Sequence, residues 1–307
     1  MNFDRVVGPA LTAVAALWGT AGLATQAALR GGVGPSTLTA LRMTIASLLL
    51  LGYLAARRRR VRISRHLLRD GAVLALTQVV VPSLLFAAAL QHLPSGAVSL
   101  LYALVPAATV AWMRLLLGTG SVGRAGVAGL VVSGAGAALV LQAARPAVGG
   151  SGLVLGALPV VVAVVVASFA GVYGKRHAAH PSLEVLAPEI LIGTVLLLGP
   201  ALVAGAVDWP AMSVGTWAVV AYLAVGVTIV PTALLLWLTK RTSALRVSLV
   251  NYLFPLVAVV LGAWSGEPLT GPLALGGAVL LAGVGLVDAA ADRRTAPGEL
   301  RPCPDLG

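Results

Sequence analysis

Ten apolar stretches, each about as long as a bilayer-crossing helix, constrain this chain more than any other feature. Such a helix needs roughly 20 mostly apolar residues, because each residue rises about 1.5 Å and the hydrocarbon core is about 30 Å thick. The predicted spans are 6–28, 35–55, 70–90, 95–117, 123–142, 152–174, 182–204, 214–238, 244–265 and 270–290. Lipid offers no partner to backbone amides, and a barrel would show alternating polarity. The sequence therefore predicts an all-α, polytopic membrane protein.

The composition excludes several function classes. Of the 307 residues, 59% are hydrophobic and 10% are charged, whereas a soluble domain carries about 25% charged residues. A soluble enzyme, a disordered chain and a nucleic-acid-binding domain are therefore excluded. The single cysteine, Cys303, leaves no intramolecular disulfide and no thiolate metal site. Since the sequence also lacks HExxH, GxSxG and phosphate-loop motifs, we expect no enzyme, no cofactor and no metal.

The positions of the 21 Lys and Arg residues predict the orientation. With a cytoplasmic N-terminus, sixteen of them fall on the cytoplasmic side, and only Arg30 and Arg145 fall on the other. The positive-inside rule then places both termini in the cytoplasm, for a multi-pass protein of the cell (plasma or inner) membrane. The dense cluster 57–69 is interpreted as a topology anchor that contacts lipid headgroups, with a lipid- or nucleic-acid-binding patch as the alternative.

The second half of the chain repeats the first at a spacing of 149 residues. Prolines and glycines stay in step, which chance apolar similarity would not achieve. The matched pairs include Val81/Val230, Pro82/Pro231, Leu85/Leu234, Ser99/Ser248, Pro106/Pro255, Gly134/Gly283 and Gly136/Gly285. We therefore predict two five-helix units, 1–148 and 149–292, followed by a cytoplasmic tail, 293–307.

Five is an odd number of spans, so the two units must have opposite orientations in the membrane. Inverted repeats of this kind place a substrate site near the bilayer midplane, and rocking of the halves exposes it to each side in turn. The repeat therefore predicts a secondary transporter.

Several short motifs, in this order along ten spans, resemble the EamA-like branch of the drug/metabolite transporter superfamily. They are Leu17-Trp18-Gly19-Thr20, Leu41-Arg42, the prolines of spans 4 and 9, Lys175-Arg176 and Gly266-Glu267-Pro268-Leu269-Thr270. The resemblance covers residues 6–290 and implies export of small metabolites, amino acids or drugs from the cytoplasm. One departure is the first unit's Gly118-Thr119-Gly120-Ser121, where the family has a Gly-Glu turn. We expect this departure to alter a helix-end contact.

Two ionisable residues lie deep in predicted spans and are candidates for function, because a charge at that depth needs a partner or a cavity. Arg42 and Glu189 follow their Pro-Ser pairs by seven and eight residues, so they are nearly repeat-equivalent. Arg42 would bind a substrate carboxylate or another anion, and Glu189 a substrate amine or a coupling proton. The alternative is structural, with Arg42 fixing the packing of helices.

Uncharged candidates also lie near midspan. The residues predicted to line a cavity are Trp18, Gln78, Tyr102, Asn251 and Tyr252, in addition to Arg42, and core packing is the alternative for Trp18. The midspan prolines Pro82, Pro106, Pro231 and Pro255 are interpreted as hinges of the transport cycle or as static kinks.

Stripes of small residues complete the pattern. They run along Ala125, Gly129 and Ser133 and, in the second unit, along Ala274, Ala278 and Ala282. Such stripes indicate close packing of helices within the chain, or a homodimer face.

Together these features predict a secondary exporter of small polar metabolites, such as amino acids, related compounds or drugs, that works by alternating access. The expected partners are a small-molecule substrate, membrane lipids, coupled protons and a second copy of the chain, with no nucleic acid. A membrane-embedded enzyme acting on lipid-linked substrates and a passive channel are the alternatives.

Overall fold

The computed structural model describes residues 4–58, 64–117, 123–174, 182–203, 212–239 and 249–292. Within these ranges every regular element is helical. Several features named above lie outside the described residues: positions 59–63 of the basic cluster, the 118–121 link, Lys175-Arg176, Ser248 and the tail with Cys303.

Ten helical spans follow one another along the described residues. The first five are α1 (Asp4–Gly19 and Ala21–Arg30), α2 (Pro35–Ala56), α3 (Arg65–Leu74, Ala75–Val80 and Val81–Ala89), α4 (Ser95–Tyr102 and Val105–Leu117) and α5 (Arg124–Arg145). The second five are α6 (Gly149–Gly174), α7 (Ser182–Val203), α8 (Val214–Tyr222, Leu223–Ile229 and Val230–Thr239), α9 (Val250–Trp264) and α10 (Gly271–Asp292). Eight of the ten are long and apolar enough to cross a membrane, and the apolar parts of α7 and α9 are shorter. The all-helical membrane fold is therefore confirmed.

The packing of the helices follows the repeat. Three helices pack on their own counterparts, α2 on α7, α4 on α9 and α5 on α10. Helix α1 packs on α8 and α9, while its counterpart α6 packs on α3 and α4. This exchange of partners is what two inverted five-helix units produce. Below, the end of the bundle that carries the α1–α2, α3–α4 and α9–α10 links is called the α1–α2 end.

Both units contain a π-helical segment at the same place, Ala75–Val80 in α3 and Leu223–Ile229 in α8. Each precedes one of the matched prolines, Pro82 or Pro231. A proline lacks an N–H and crowds the carbonyl four residues earlier, so the wider π-helical turn accommodates it. The local distortion thus repeats together with the sequence.

Helices α5 and α10 approach so closely that only glycine fits at their contact. A Cβ atom added at Gly136 would lie 2.2 Å from the backbone nitrogen of Leu280, and one added at Gly283 equally close to that of Ser133. The first-unit stripe is therefore packed inside the chain at Gly129 and Ser133. The second-unit stripe, Ala274, Ala278 and Ala282, is exposed. For that stripe, packing within the chain was the wrong interpretation, and the homodimer stays a prediction.

Candidate functional site

Arg42 lies inside the bundle, in the half nearer the α1–α2 end. Helix α2 begins at Pro35, whose fixed φ suits the first helical turn, so Arg42 is about 10 Å into the helix. Its Nη2 donates a hydrogen bond to Ser83 Oγ of α3 at 3.1 Å. Its Nε is buried and has no hydrogen-bond partner among the described residues, and none of the described carboxylates forms an ion pair with the guanidinium. The Arg42 guanidinium therefore has an N–H donor inside the protein that no described group accepts.

Tyr102 of α4 lies within electrostatic range of this guanidinium. The Tyr102 ring packs edge-on against Phe86 of α3, with ring centroids 5.7 Å apart. Arg42, Ser83, Phe86 and Tyr102 are called the Arg42 cluster below. The structure thus unites two of the predicted site residues, Arg42 and Tyr102.

Trp18 lies across the bundle and joins α1 to the second unit. Its Nε1 donates a hydrogen bond to the Val227 carbonyl of α8 at 3.2 Å, and its ring meets Phe254 of α9 edge-on at 6.3 Å. Pro231 has no N–H to offer that carbonyl, which lies four residues before it. Trp18 and Tyr102 pack on the same apolar core, which contains Phe254. Trp18 therefore borders the region that contains the Arg42 cluster.

Each of the four midspan prolines removes the helical N–H partner of the carbonyl four residues earlier. The pairs are Pro82 with Gln78, Pro106 with Tyr102, Pro231 with Val227 and Pro255 with Asn251. The helix is distorted at three of them, by the two π-helical segments and by a break at residues 103–104 of α4. The prolines thus concentrate backbone carbonyls with a missing helical donor in the middle of α3, α4, α8 and α9. Their role as hinges stays a prediction.

The structure does not bring the remaining uncharged candidates into the Arg42 cluster. The Gln78 side chain is exposed. Tyr252 donates its hydroxyl hydrogen bond to Asp288 of α10. Asn251 is partly buried, and its side chain forms no hydrogen bond with another described residue.

Glu189 is a buried carboxyl on α7, with 5% of its surface exposed. It forms no hydrogen bond or ion pair within the described part of the chain. Helix α3 approaches it closely, since a Cβ atom added at Gly71 would lie 2.6 Å from Pro188 Cβ.

Arg42 and Glu189 lie at different depths. The Thr194 hydroxyl of α7 donates to the Met43 carbonyl at 3.0 Å, which places Thr194 at the level of Arg42. Glu189 precedes Thr194 by five residues, so it is about 7.5 Å farther from the α1–α2 end. Among the described contacts there is accordingly no ion pair between these two residues.

Three carboxylates with contacts between helices were not among the predicted site residues. Asp288 accepts from Tyr252, Asp70 accepts from Tyr173 of α6 at 2.6 Å, and Glu267 caps a helix of the other unit. Asp288 and Asp70 lie within predicted spans, so their charge at the ends of apolar stretches was the available signal.

Comparison with known proteins identifies the family. Residues 8–142 and 154–287 each match the EamA-like transporter family. The inner membrane transporter YedA of Escherichia coli, itself called uncharacterized, is 28% identical over 265 residues in strains K12, O6:H1 and O157:H7. These alignments cover 84% of this chain and 82% of each relative.

One crystal structure of a protein shares the fold. It is 24% identical, with a TM-score of 0.64, and the alignment covers 95% of this chain and 99% of that one. Two matched units of a transporter family exclude the alternative of a membrane-embedded enzyme. The chain therefore belongs to the EamA-like transporter family and consists of two EamA units.

Proposed function

We propose that this transporter is a secondary exporter of the inner membrane that moves small polar metabolites bearing a carboxylate, such as amino acids, by alternating access. Both termini face the cytoplasm, and the α1–α2 end faces the opposite side. The asymmetric distribution of Lys and Arg supports this orientation. The relatives named as inner membrane transporters support the location.

The observation that carries the proposal is the Arg42 guanidinium. A charged group inside a membrane protein is penalised unless it is paired. Arg42 has one neutral partner, Ser83, and a buried Nε without any. A guanidinium presents a planar fork of N–H donors that matches a carboxylate, and such charge-assisted pairs are the stronger hydrogen bonds. A substrate carboxylate therefore supplies what the cluster lacks.

The rest of the substrate extends from Arg42 toward the middle of the bundle. Tyr102 offers a hydroxyl within electrostatic range of the guanidinium, and Trp18 and Phe254 offer apolar ring surface. Glu189 lies about 7.5 Å farther from the α1–α2 end than Arg42 and accepts the coupling proton or binds the substrate amine. Rocking of the two units about the proline-containing helices then exposes this region to one side at a time.

Flux through purified protein in liposomes tests the proposal. Radiolabelled amino acids are the probes, and the variants are Arg42→Gln, Arg42→Lys and, as a control, Arg114→Gln. Arg114 is an exposed arginine in the last turn of α4. We expect saturable flux of one or more amino acids, a loss of at least tenfold in Arg42→Gln, partial retention in Arg42→Lys and no change in the control. Flux that rises linearly with concentration would indicate a channel, and unchanged flux in Arg42→Gln would contradict the proposed site.

A further inference from the structure

A carboxylate of the described α9–α10 link joins the two units at the α1–α2 end. Glu267, in the link between α9 and α10, accepts hydrogen bonds from the backbone nitrogens of Ser95 at 2.8 Å and Gly96 at 3.1 Å. Ser95 and Gly96 are the first two residues of α4. The acceptor belongs to the second unit and both donors belong to the first, so the bonds cross the boundary that must move in alternating access.

The Glu267 carboxylate forms a strong cap on the first amides of α4. The first amides of a helix have no partner within the helix, and the residue before α4 is Pro94, whose side chain cannot accept. A carboxylate at a helix N-terminus makes charge-assisted bonds and is also favoured by the helix dipole. Glu267 therefore satisfies α4 amides for which α4 itself supplies no side-chain acceptor.

The helices around Glu267 are in close contact, so the α1–α2 end is closed there. A Cβ atom added at Gly22 of α1 would lie 2.8 Å from Ser95 Cβ, and one added at Gly262 of α9 would lie 2.6 Å from Glu267 Oε2. Ser95 is 0% exposed, and Ser99, one turn deeper, is 1% exposed. Helices α1, α4 and α9 thus meet at this end and cover the deeper part of α4.

Water reaches the outer side of this contact. A pocket of about 540 Å³ lies at the α1–α2 end and is lined by Gln26, Arg30, His92 and Glu267, among others. The carboxylate and the two amides can therefore be rehydrated when the link separates from α4. This makes the contact reversible, unlike one sealed inside the core.

We propose that Glu267 is a latch that holds the α1–α2 end closed and that must release α4 before substrate leaves on that side. This inference rests on the alternating access proposed above. The repeat supplies no equivalent of this cap at the opposite end, because the corresponding link of the first unit, Gly118-Thr119-Gly120-Ser121, contains no carboxylate. The departure from the Gly-Glu turn thus makes the two ends of the transporter unequal.

Thiol labelling tests the latch without any substrate. The reporter is Ser99→Cys in a chain whose own cysteine is removed by Cys303→Ser, and the reagent is a membrane-impermeant maleimide applied from the α1–α2 side. Ser99 lies one turn below the capped amides, so loss of the Glu267 side chain alone does not uncover it. The test variants are Glu267→Ala and the isosteric Glu267→Gln. The control is Ser213→Ala, which removes a cap at the same end of the bundle, the hydrogen bond from Thr216 N to Ser213 Oγ, within a single unit.

We expect Glu267→Ala to raise the labelling rate of the reporter about tenfold and Glu267→Gln to raise it less, since an amide retains a neutral acceptor. Ser213→Ala should leave the rate unchanged. Equal rates with and without Glu267 would overturn the latch. An equal rise in the Ser213→Ala control would also overturn it, because general loosening would then explain the labelling. Arg42→Gln provides the separate flux test, so failure of the proposed transport function is distinguishable from failure of the latch.

Discussion

The hydrogen bond from Trp18 to the Val227 carbonyl gives a prediction that joins the proline kink of α8 to the packing of α1. Trp18→Phe removes the donor and keeps an aromatic ring facing Phe254. Pro231→Ala supplies an N–H that can bond the same carbonyl from within α8. The Trp18 Nε1–H and the N–H introduced by Pro231→Ala would therefore serve the same carbonyl. The effects of the two substitutions on the free energy of unfolding should not be additive.

The magnitude follows from the contacts. A neutral hydrogen bond contributes about 0.5–1.5 kcal/mol, and the edge-on ring contact, which phenylalanine retains in part, contributes about the same again. Trp18→Phe should therefore lower the free energy of unfolding by about 1–2 kcal/mol in the natural chain. In the Pro231→Ala background the loss should be smaller by about 1 kcal/mol. This difference is the coupling energy of the double-mutant cycle formed by Trp18→Phe and Pro231→Ala.

Reversible unfolding in mixed detergent micelles measures all four corners of this cycle. Trp264→Phe is the matched control, because Trp264 is 86% exposed and its truncation should change stability by less than about 0.5 kcal/mol. Additive effects of Trp18→Phe and Pro231→Ala would refute the argument that the proline leaves this carbonyl to Trp18.

Three further predictions concern single positions. Glu189→Gln should keep the melting temperature within about 2 °C, because the buried carboxyl forms no ion pair within the described part of the chain. The same substitution should abolish the dependence of flux on a proton gradient. A lower purified yield with gradient dependence intact would contradict the coupling role. Thr194→Val should lower the free energy of unfolding by about 0.6–1.5 kcal/mol, since it removes buried hydrogen bonds, including one to Ser47 at 2.6 Å, and an unchanged value would show that α2 and α7 are not joined there. Gly136→Ala should abolish folded, monodisperse protein, whereas Gly134→Ala, where an added Cβ would meet nothing within 4 Å, should purify normally, and equal yields would contradict the tight α5–α10 contact.

The sequence predicted the spans and the repeat well because both depend on features local to the chain. Apolar length determines whether a helix crosses the bilayer, and a proline distorts a helix wherever the chain places it. The π-helical segments before Pro82 and Pro231 show this, since they occur at matched positions in both units.

The side-chain clusters were harder to predict because they depend on how each helix rotates about its axis. A span that is apolar on all sides has little periodicity, so hydropathy does not show which face meets a neighbour. For this reason the sequence does not show that Arg42 and Tyr102 lie together, or that the Gln78 side chain is exposed. Tyr252 was assigned to a cavity, whereas its hydroxyl bonds Asp288 on the adjacent helix.

The link contacts depend on long-range geometry that spacing alone does not give. The motif containing Glu267 was recognised as a sequence pattern, and its missing counterpart in the first unit predicted an altered helix-end contact. Only the fold shows that the Glu267 carboxylate reaches α4 of the other unit, 172 residues away from Ser95 in sequence. The 118–121 link lies outside the described residues, so the altered contact there stays a prediction.

The most direct test of the central claim is the thermal stability of the purified protein with matched pairs of ligands. Each pair is an amino acid and the amine that lacks its carboxylate, for example leucine and 3-methylbutylamine, tested on the natural chain and on Arg42→Gln. A ligand at 100 times its Kd stabilises the folded state by about 2.7 kcal/mol, which raises the melting temperature by several degrees. One or more amino acids should produce this rise, their amines should not, and Arg42→Gln should abolish it. An amine that stabilises as well as its amino acid, a rise that persists in Arg42→Gln, or no rise with any amino acid would show that Arg42 does not bind a substrate carboxylate.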